Sequence, residues 1–292
     1  MADTKQHQLA LVKKDTVDVV AEKVRMFQED GQLNFPANYS PENAMKSAWL
    51  TLQATKDKDG KPALETCTRD SIANSLLDMV VQGLTPAKDQ GYFIAYGKEL
   101  TFQRSYFGTM AVCKRVTGAK DILAQVVYEG DEFEYYLDKG RVVISKHVQK
   151  LGSIGKKIVA AYCIVEFGGD TPDFVGLMTM DEIQKAWNMS KMKSNSTRDN
   201  FPQEMAKRTV INRTCKTLIN SSDDSSLVIE HFRNSDATAR QAAVEAEVAE
   251  HANQEPIDVE AYEAEDVTAD DPQAKKTEPP SDNDWADDAP PF

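Results

Sequence analysis

The fold of this chain is decided by residues 122–147, which read ILAQVVYEGDEFEYYLDKGRVVISKH. This stretch holds three segments rich in Val, Ile, Tyr and Phe, separated by two short turns that contain Gly130 and Gly140. β-branched and aromatic residues favour strands, and glycine allows the backbone angles of tight turns. Turn-linked strands in series predict an antiparallel β meander.

The same signals predict four further strands, at 92–96, 99–102, 158–167 and 174–178. Helices are predicted before, between and after the strands, at 15–29, 40–52, 68–83, 105–116, 179–189 and 202–220. Capping residues support two of these helices: Ser40 is the cap of one, with Pro41 in its first turn, and Thr179 with Glu182 forms a capping box at the start of another. We therefore predict an α+β core in which an antiparallel meander is flanked by helices.

The charge of the chain is divided between this core and a tail. Residues 231–292 carry 4 Lys/Arg against 17 Asp/Glu, which accounts for the whole net charge of −13. The tail has few large apolar residues, so it buries too little surface to offset its ordering entropy, and Ala237–Ala252 is at most a transient helix. We predict a folded core at residues 1–232 and a disordered acidic tail at residues 233–292.

Basic residues cluster in two segments of the core. Residues 185–218 carry eight Lys/Arg against two acidic residues, and residues 139–157 carry six with no acidic residue. Such clusters are typical of proteins that bind phosphate backbones, although each can also be a solvated helix or hairpin face.

Aromatic residues accompany the basic ones, as they do in proteins that stack single-stranded bases beside a positive groove. Phe107 and Trp187 lie at helical spacing and are more typical of core packing than of a stacking platform. The candidate DNA-binding residues are Arg104, Tyr106, Lys114, Arg115, Lys185, Lys191, Lys193, Lys207, Arg208, Arg213 and Lys216.

The sequence contains no catalytic constellation above background. Residues 152–157, GSIGKK, lack the glycine spacing and the Ser/Thr of a P-loop. Glu129, Asp131, Glu132 and Glu134 could gather a metal ion, as carboxylates do in nucleases. They alternate across a turn and the start of a strand, however, where acidic residues are ordinarily solvated. The four cysteines fit neither a zinc site nor a dense disulfide framework, which predicts reduced thiols: Cys67, Cys113, Cys163 and Cys215. Without an apolar run of about 18 residues or a secretory leader, the chain is predicted to be intracellular.

Five segments resemble the RecT family of phage single-strand annealing recombinases, which is related in role to Red-beta. They follow the family's order and spacing and together span about half of the chain: Gly83–Pro86, Gly91–Gly97, Tyr106–Gly108, Val127–Phe133 and Glu204–Thr209. Two positions depart from the family's pattern. Ala95 stands where Pro is usual, and Phe107 where a basic residue is common.

This resemblance implies ATP-independent binding of single-stranded DNA and annealing of complementary strands, with no bond chemistry and no cofactor. It implies that residues 1–232 form a DNA-binding and oligomerisation core, and that identical subunits assemble into rings or helical filaments that line a continuous basic groove. It also implies a partner 5′→3′ exonuclease and action in the cytoplasm of a bacterial host. In this interpretation the basic residues contact the DNA backbone of the bound strand and of the annealed duplex, and Mg²⁺ is not required for binding.

The last eleven residues, DNDWADDAPPF, look like the acidic tip of bacterial single-stranded-DNA-binding proteins. Asp287, Asp288, Pro291 and Phe292 would place an apolar ring beside negative charge, which suits a basic pocket with an apolar floor. The tip is predicted either to recruit host proteins that read such tips or to fold back on the basic groove as a brake. A tail that only solubilises the protein is the alternative.

The residues alone are also compatible with two other classes of protein. One is an interaction protein that binds an acidic protein partner through its basic face. The other is a metal-dependent nuclease that uses Glu129, Asp131 and Glu132. An annealing protein should anneal strands without Mg²⁺, and an interaction protein should not retain DNA. A nuclease should cleave DNA only in the presence of Mg²⁺.

Overall fold

The computed structural model describes residues 2–188, 199–222 and 226–251. Its helices are, in chain order, α1 (Ala2–Lys13), α2 (Val19–Glu29), α3 (Pro41–Ala54), α4 (Ala63–Thr66), α5 (Arg69–Val81), α6 (Tyr106–Thr117), α7 (Met180–Asn188), α8 (Pro202–Asn220) and α9 (Leu227–His251). Its strands are β1 (Gly91–Tyr96), β2 (Glu99–Arg104), β3 (Asp121–Tyr128), β4 (Glu132–Asp138), β5 (Arg141–Val148), β6 (Ile158–Glu166) and β7 (Phe174–Thr179). The mixture of helices with antiparallel strands confirms the predicted α+β class.

The helix starts follow from local sequence. The hydroxyl oxygen of Ser40 accepts the Asn43 N–H at 3.2 Å, so this side chain satisfies a backbone donor that has no partner within the first turn. Thr179 and Glu182 form the predicted reciprocal capping box, in which each side chain accepts the backbone N–H of the other residue. The first helical stretch begins at Ala2, well before the predicted Asp15, and reaches α2 through a π-helical turn, Lys14–Asp18.

The strands do not form one meander, and this part of the prediction is wrong. β3 pairs with β6 and β6 with β7, whereas β4 and β5 form a separate hairpin and β1 and β2 another. β4 carries Glu132, Glu134 and Asp138 and is exposed along almost its whole length, so it cannot lie inside a sheet that is covered by helices. β3 and β6 have largely apolar buried positions and pair with each other across the inserted hairpin.

The core lies where helices cover the three-stranded sheet and the hairpin β1–β2. α8 packs on β3, β6 and β7 and on α6, and it buries Val210, Cys215 and Ile219. Cys113 and Cys163 are buried in the same region, and all four cysteines are free thiols, as predicted, although Cys67 is partly exposed. Burial raises the pKa of the Cys163 thiol to about 12, so this group stays protonated.

The hairpin β4–β5 is fastened to the sheet at its base by a polar cluster. His147 hydrogen-bonds the Tyr162 hydroxyl at 2.9 Å and faces the Asp131 carboxylate at 3.4 Å, while Phe133 stacks on the Tyr162 ring. Burial acts to raise the pKa of Asp131, but hydrogen bonds from the Tyr128 N–H and from neighbouring side chains outweigh it and lower the pKa to about 2. This cluster therefore depends on a charged carboxylate.

Acid should weaken this attachment. A carboxyl group whose folded pKa lies below its ordinary 3.8 stabilises the fold above that value, and the contribution is lost as the pH falls from about 4 to about 2. Asp131→Asn should therefore lose less free energy of unfolding than the wild type over this interval, measured by urea unfolding at each pH. Glu134→Gln, which removes an exposed carboxylate from the same hairpin, should keep the wild-type acid loss, and equal acid loss in Asp131→Asn would contradict this account.

The last described helix crosses the predicted boundary at residue 232. α9 packs on α5 and β2, and it buries Val228, Ile229, Phe232 and Ser235. Predicting disorder from residue 233 onward was thus wrong for residues 233–251, because Phe232 and its neighbours anchor a helix that the Ala- and Glu-rich sequence then continues. Residues 252–292 lie outside the described part of the chain, so the disordered acidic tail stays a prediction there. Among the described helices, none is long and apolar enough to cross a membrane.

Candidate nucleic-acid interface

The start of α6 and the loop before β1 are joined through close backbone contacts. The Ser105 N–H donates to the Gln90 carbonyl at 3.1 Å, and the Thr85 N–H donates to the side-chain oxygen of Gln90 at 3.0 Å. A Cβ atom on Gly108 would lie 2.0 Å from the Gln90 carbonyl oxygen, so only glycine permits this approach. The segments Gly83–Pro86, Gly91–Gly97 and Tyr106–Gly108, which are separate in sequence, therefore meet in space.

Exposed aromatic rings and one guanidinium group lie together at this junction. We call Tyr92, Tyr106, Phe107 and Arg208 the aromatic–cation cluster; Tyr92 belongs to it because its hydroxyl interacts electrostatically with that of Tyr106. The rings of Tyr106 and Phe107 are 4.0 Å apart between centroids, and the Arg208 guanidinium lies 5.1 Å from the Tyr106 ring. Tyr92 is 53% exposed and Phe107 45%. Burial raises the pKa of Tyr106, and the nearby Arg208 charge opposes this shift. Flat apolar surface beside a cation is what single-stranded bases stack on.

The other predicted cations of α8 point toward different neighbours. The ammonium group of Lys207 lies 3.5 Å from Glu204 in the same helix. Arg213 pairs with Glu182 of α7 at 3.3 Å, and Lys216 pairs with Asp236 of α9 at 2.6 Å. Lys185 is exposed in the last turn of α7. Lys207, Arg213 and Lys216 therefore lie on different sides of α8, and each is paired with a different neighbouring carboxylate.

Arg104 is a structural residue, which corrects its prediction as a backbone contact for DNA. Its side chain is only 2% exposed, and it forms an ion pair with Asp236. The guanidinium donates to the side-chain oxygen of Gln82 and to the Phe232 carbonyl, and it lies 3.7 Å from the Phe232 ring centroid. Burial lowers the pKa of Arg104, and the carboxylates of Asp236 and Asp78 oppose this shift. Arg104 therefore anchors α9 to β2.

Lys114 and Arg115 also hold the fold together. The Lys114 ammonium pairs with Asp121 at 2.8 Å, at the end of α6. Arg115 donates to the backbone carbonyls of Val81 and Asn34, and its guanidinium lies 5.6 Å from the Phe35 ring. These contacts tie α6 to β3, to the end of α5 and to the loop before α3. Neither side chain belongs to the aromatic–cation cluster.

A family model described as the RecT family matches residues 42–276, which is most of the chain. The chain belongs to the RecT family. Proteins of this family bind DNA and act in recombination by single-strand annealing, and they are generally not enzymes. A comparison with curated proteins gave no match.

The match to the RecT family includes all the residues of the aromatic–cation cluster. Of these, Tyr106 and Arg208 were predicted as DNA contacts, whereas Tyr92 was missed and Phe107 was assigned to the core. Tyr92 could have been found from its position in β1: its neighbours Gly91 and Phe93 are buried, so a side chain between them faces the other side of the strand. Trp187 is partly buried, as predicted for a core residue, and its indole N–H donates to the Thr209 hydroxyl at 2.8 Å.

Several predicted sites of this RecT-family chain lie outside the described residues. They are Lys191 and Lys193 in the basic segment and Asp287, Asp288, Pro291 and Phe292 in the acidic tip. Their roles stay predictions.

The three carboxylates considered for a nuclease do not form one site in this RecT-family chain. Asp131 is directed into the base of the hairpin, where its carboxylate accepts the Tyr128 N–H, and Glu132 pairs with Lys146 on the next strand. Within residues 2–188, 199–222 and 226–251, no group of three or more His, Cys, Asp and Glu side chains could hold a metal ion.

Proposed function

We propose that this protein binds single-stranded DNA without ATP and anneals complementary strands. The observation that carries the proposal is the aromatic–cation cluster. It lies within the stretch that matches the RecT family, and it presents exposed rings beside Arg208. Binding requires neither a nucleotide cofactor nor Mg²⁺ in this proposal, because the protein's own cations neutralise the phosphates.

The mechanism uses positioning alone. Bases of the first strand stack on Tyr92 and Phe107, while Arg208 lies over the Tyr106 ring and faces the nearby backbone. Lys185 and Arg213, which are exposed on neighbouring helices, contact further phosphates. Since phosphate contacts carry no sequence information, the base edges stay open for pairing with a complementary strand. The protein then retains the annealed duplex through the same backbone contacts.

Several partners belong to this proposal. The protein assembles as a homo-oligomer, in a ring or helical filament, so that neighbouring clusters form one continuous track for the strand. A 5′→3′ exonuclease supplies the single strand, and the acidic tip either recruits host proteins or occupies the basic track as a brake. These steps take place in the cytoplasm of a bacterial host.

The double variant Phe107→Ala/Arg208→Ala tests the cluster. Each base stacked on an aromatic side chain contributes about 1–3 kcal/mol, so the affinity for a single-stranded oligonucleotide should fall at least about tenfold. Annealing of two labelled complementary oligonucleotides, without nucleoside triphosphate or Mg²⁺, should slow accordingly. Affinity is measured by fluorescence anisotropy and annealing by energy transfer between the labels.

The matched control is Tyr136→Ala/Arg25→Ala, which also removes one exposed aromatic ring and one exposed guanidinium. This control should keep the wild-type affinity. Equal affinity of the cluster variant and the wild type would show that bases do not stack there. Cleavage of the oligonucleotides in Mg²⁺, or failure of the wild type to bind them at low salt, would contradict the annealing function itself.

A further inference from the structure

A basic cleft of ≈ 520 Å³ lies where α8, α9 and the end of β2 meet. Four cationic side chains line it, against a single carboxylate, Asp236. Those cations are Arg104, Lys216, Arg233 and Arg240. The last two belong to the segment that the sequence assigned to the acidic tail, and the function proposed above gives them no role.

The internal contacts of the cleft divide these cations into two pairs. Asp236 forms ion pairs with both Arg104 and Lys216, so its charge is already shared between them. Arg233 and Arg240 use their Nε atoms in internal contacts: Arg233 Nε donates to the Asn220 side-chain oxygen at 3.4 Å, and Arg240 Nε to the Asp236 carbonyl at 3.0 Å. Both residues are exposed. These contacts fix each guanidinium group at its Nε edge.

We infer that this cleft binds backbone phosphates of single-stranded DNA through Arg233 and Arg240, an inference that rests on the function proposed above. A guanidinium group presents paired N–H donors that match two phosphate oxygens, and the excess of positive charge in the cleft selects an anion. The polar walls and the open shape suit a solvated phosphodiester better than an apolar group. The cleft is thus a second contact point, separate from the aromatic–cation cluster.

α8 connects the two contact points. Arg208 at the cluster and Lys216 at the cleft are eight residues apart, which corresponds to about 12 Å along the helix and about 80° around it. The rise per nucleotide of a stacked B-form strand is about 3.4 Å, and an extended single strand rises more, so this distance corresponds to at most about four nucleotides. A strand that stacks at the cluster and follows α8 therefore reaches Arg233 and Arg240 within a few nucleotides.

The test is the salt dependence of single-stranded DNA binding by the full chain carrying Arg233→Gln/Arg240→Gln. Each phosphate contact contributes about 0.7 to the slope of log affinity against log salt, so losing two contacts should reduce the slope by about 1.4. If the two proteins converge at 1 M salt, the variant binds about 25-fold more weakly at 0.1 M salt. The probe is a labelled oligothymidylate, followed by fluorescence anisotropy.

The control is Lys23→Gln/Arg25→Gln, which removes two exposed positive charges from α2, and it should keep the wild-type slope. The single variants Arg233→Gln and Arg240→Gln should each lose about half of the effect. A wild-type slope for the cleft variant, in a protein that still binds DNA, would overturn the cleft and leave the annealing function standing. Absence of DNA binding by the wild type would overturn both.

Discussion

Replacing Arg104 by alanine is expected to be among the most destabilising single changes in this protein. The buried guanidinium satisfies Gln82, Ser235, the Phe232 carbonyl and Asp236 at once. Its removal leaves the Asp236 carboxylate paired with Lys216 and takes away the donor to the buried side-chain oxygen of Gln82. Losing one partner of a buried ion pair costs about 3–5 kcal/mol, so the free energy of unfolding should fall by that amount.

Urea unfolding followed by circular dichroism measures this loss. The matched control is Arg25→Ala, because Arg25 is 64% exposed and pairs with Glu22 on the surface of α2. Exposed pairs contribute about 0–1 kcal/mol, so the control should stay near the wild type. If Arg104→Ala instead keeps its stability and loses only DNA affinity, Arg104 contacts the DNA backbone, as the sequence alone suggested.

Arg104 illustrates what could and could not be predicted from the sequence. Helix starts could be predicted, because a capping side chain and the N–H it accepts are about three residues apart. Arg104 looked like an exposed cation because its partners, Phe232 and Asp236, lie more than 120 residues away. The same separation explains the wrong boundary at residue 232, since the helix beyond it is held by side chains of β2 and α5.

The order of the strands has the same cause. Short turns made β3, β4 and β5 look like neighbours in one sheet, yet β3 pairs with β6, from Asp121–Glu166 to Tyr128–Ile158. Strand pairing follows which faces can be buried, and the charged residues of β4 exclude it from the centre of the sheet. Strand existence is a local property, whereas sheet order depends on packing that the local sequence does not contain.

The candidate interface could be predicted in part. Arg208 and Tyr106 were found because cations and aromatic residues have recognisable local patterns. Their grouping with Tyr92 depends on the loop that joins Gln90 to the start of α6, and no periodicity reveals that contact. Arg213 and Lys216 lie three residues apart on one helix, but Glu182 and Asp236 draw them to different neighbours.

Gly108→Ala should disturb both the fold and the interface. It should lower the free energy of unfolding, whereas a glycine-to-alanine change in a helix usually raises it. In the interior of a helix, alanine is normally more favourable than glycine by about 0.5–1 kcal/mol. Here the added Cβ would lie 2.0 Å from the Gln90 carbonyl oxygen and 3.4 Å from Leu84. The backbone oxygen cannot rotate away as a flexible side chain would, so α6 and the loop before β1 must separate.

Overpacking of this kind costs about 1–3 kcal/mol and sometimes more. We expect a loss at the upper end of this range, because the backbone must move and the contacts of Ser105 with Asp89 and Gln90 weaken as it does. Tyr106 and Phe107 are carried on the same turn, so the affinity for single-stranded DNA should fall together with the free energy of unfolding. The two are measured by anisotropy and by urea unfolding.

Gly152→Ala is the control, since nothing lies within 4 Å of a Cβ atom added there and its stability should be unchanged or slightly raised. A stable Gly108→Ala that has lost DNA affinity would mean that the loop adapts and that only the stacking surface depends on this contact. A stable variant with full affinity would mean that the close approach of α6 to Gln90 does not organise the aromatic–cation cluster, and the proposed interface would have to be sought elsewhere on the chain.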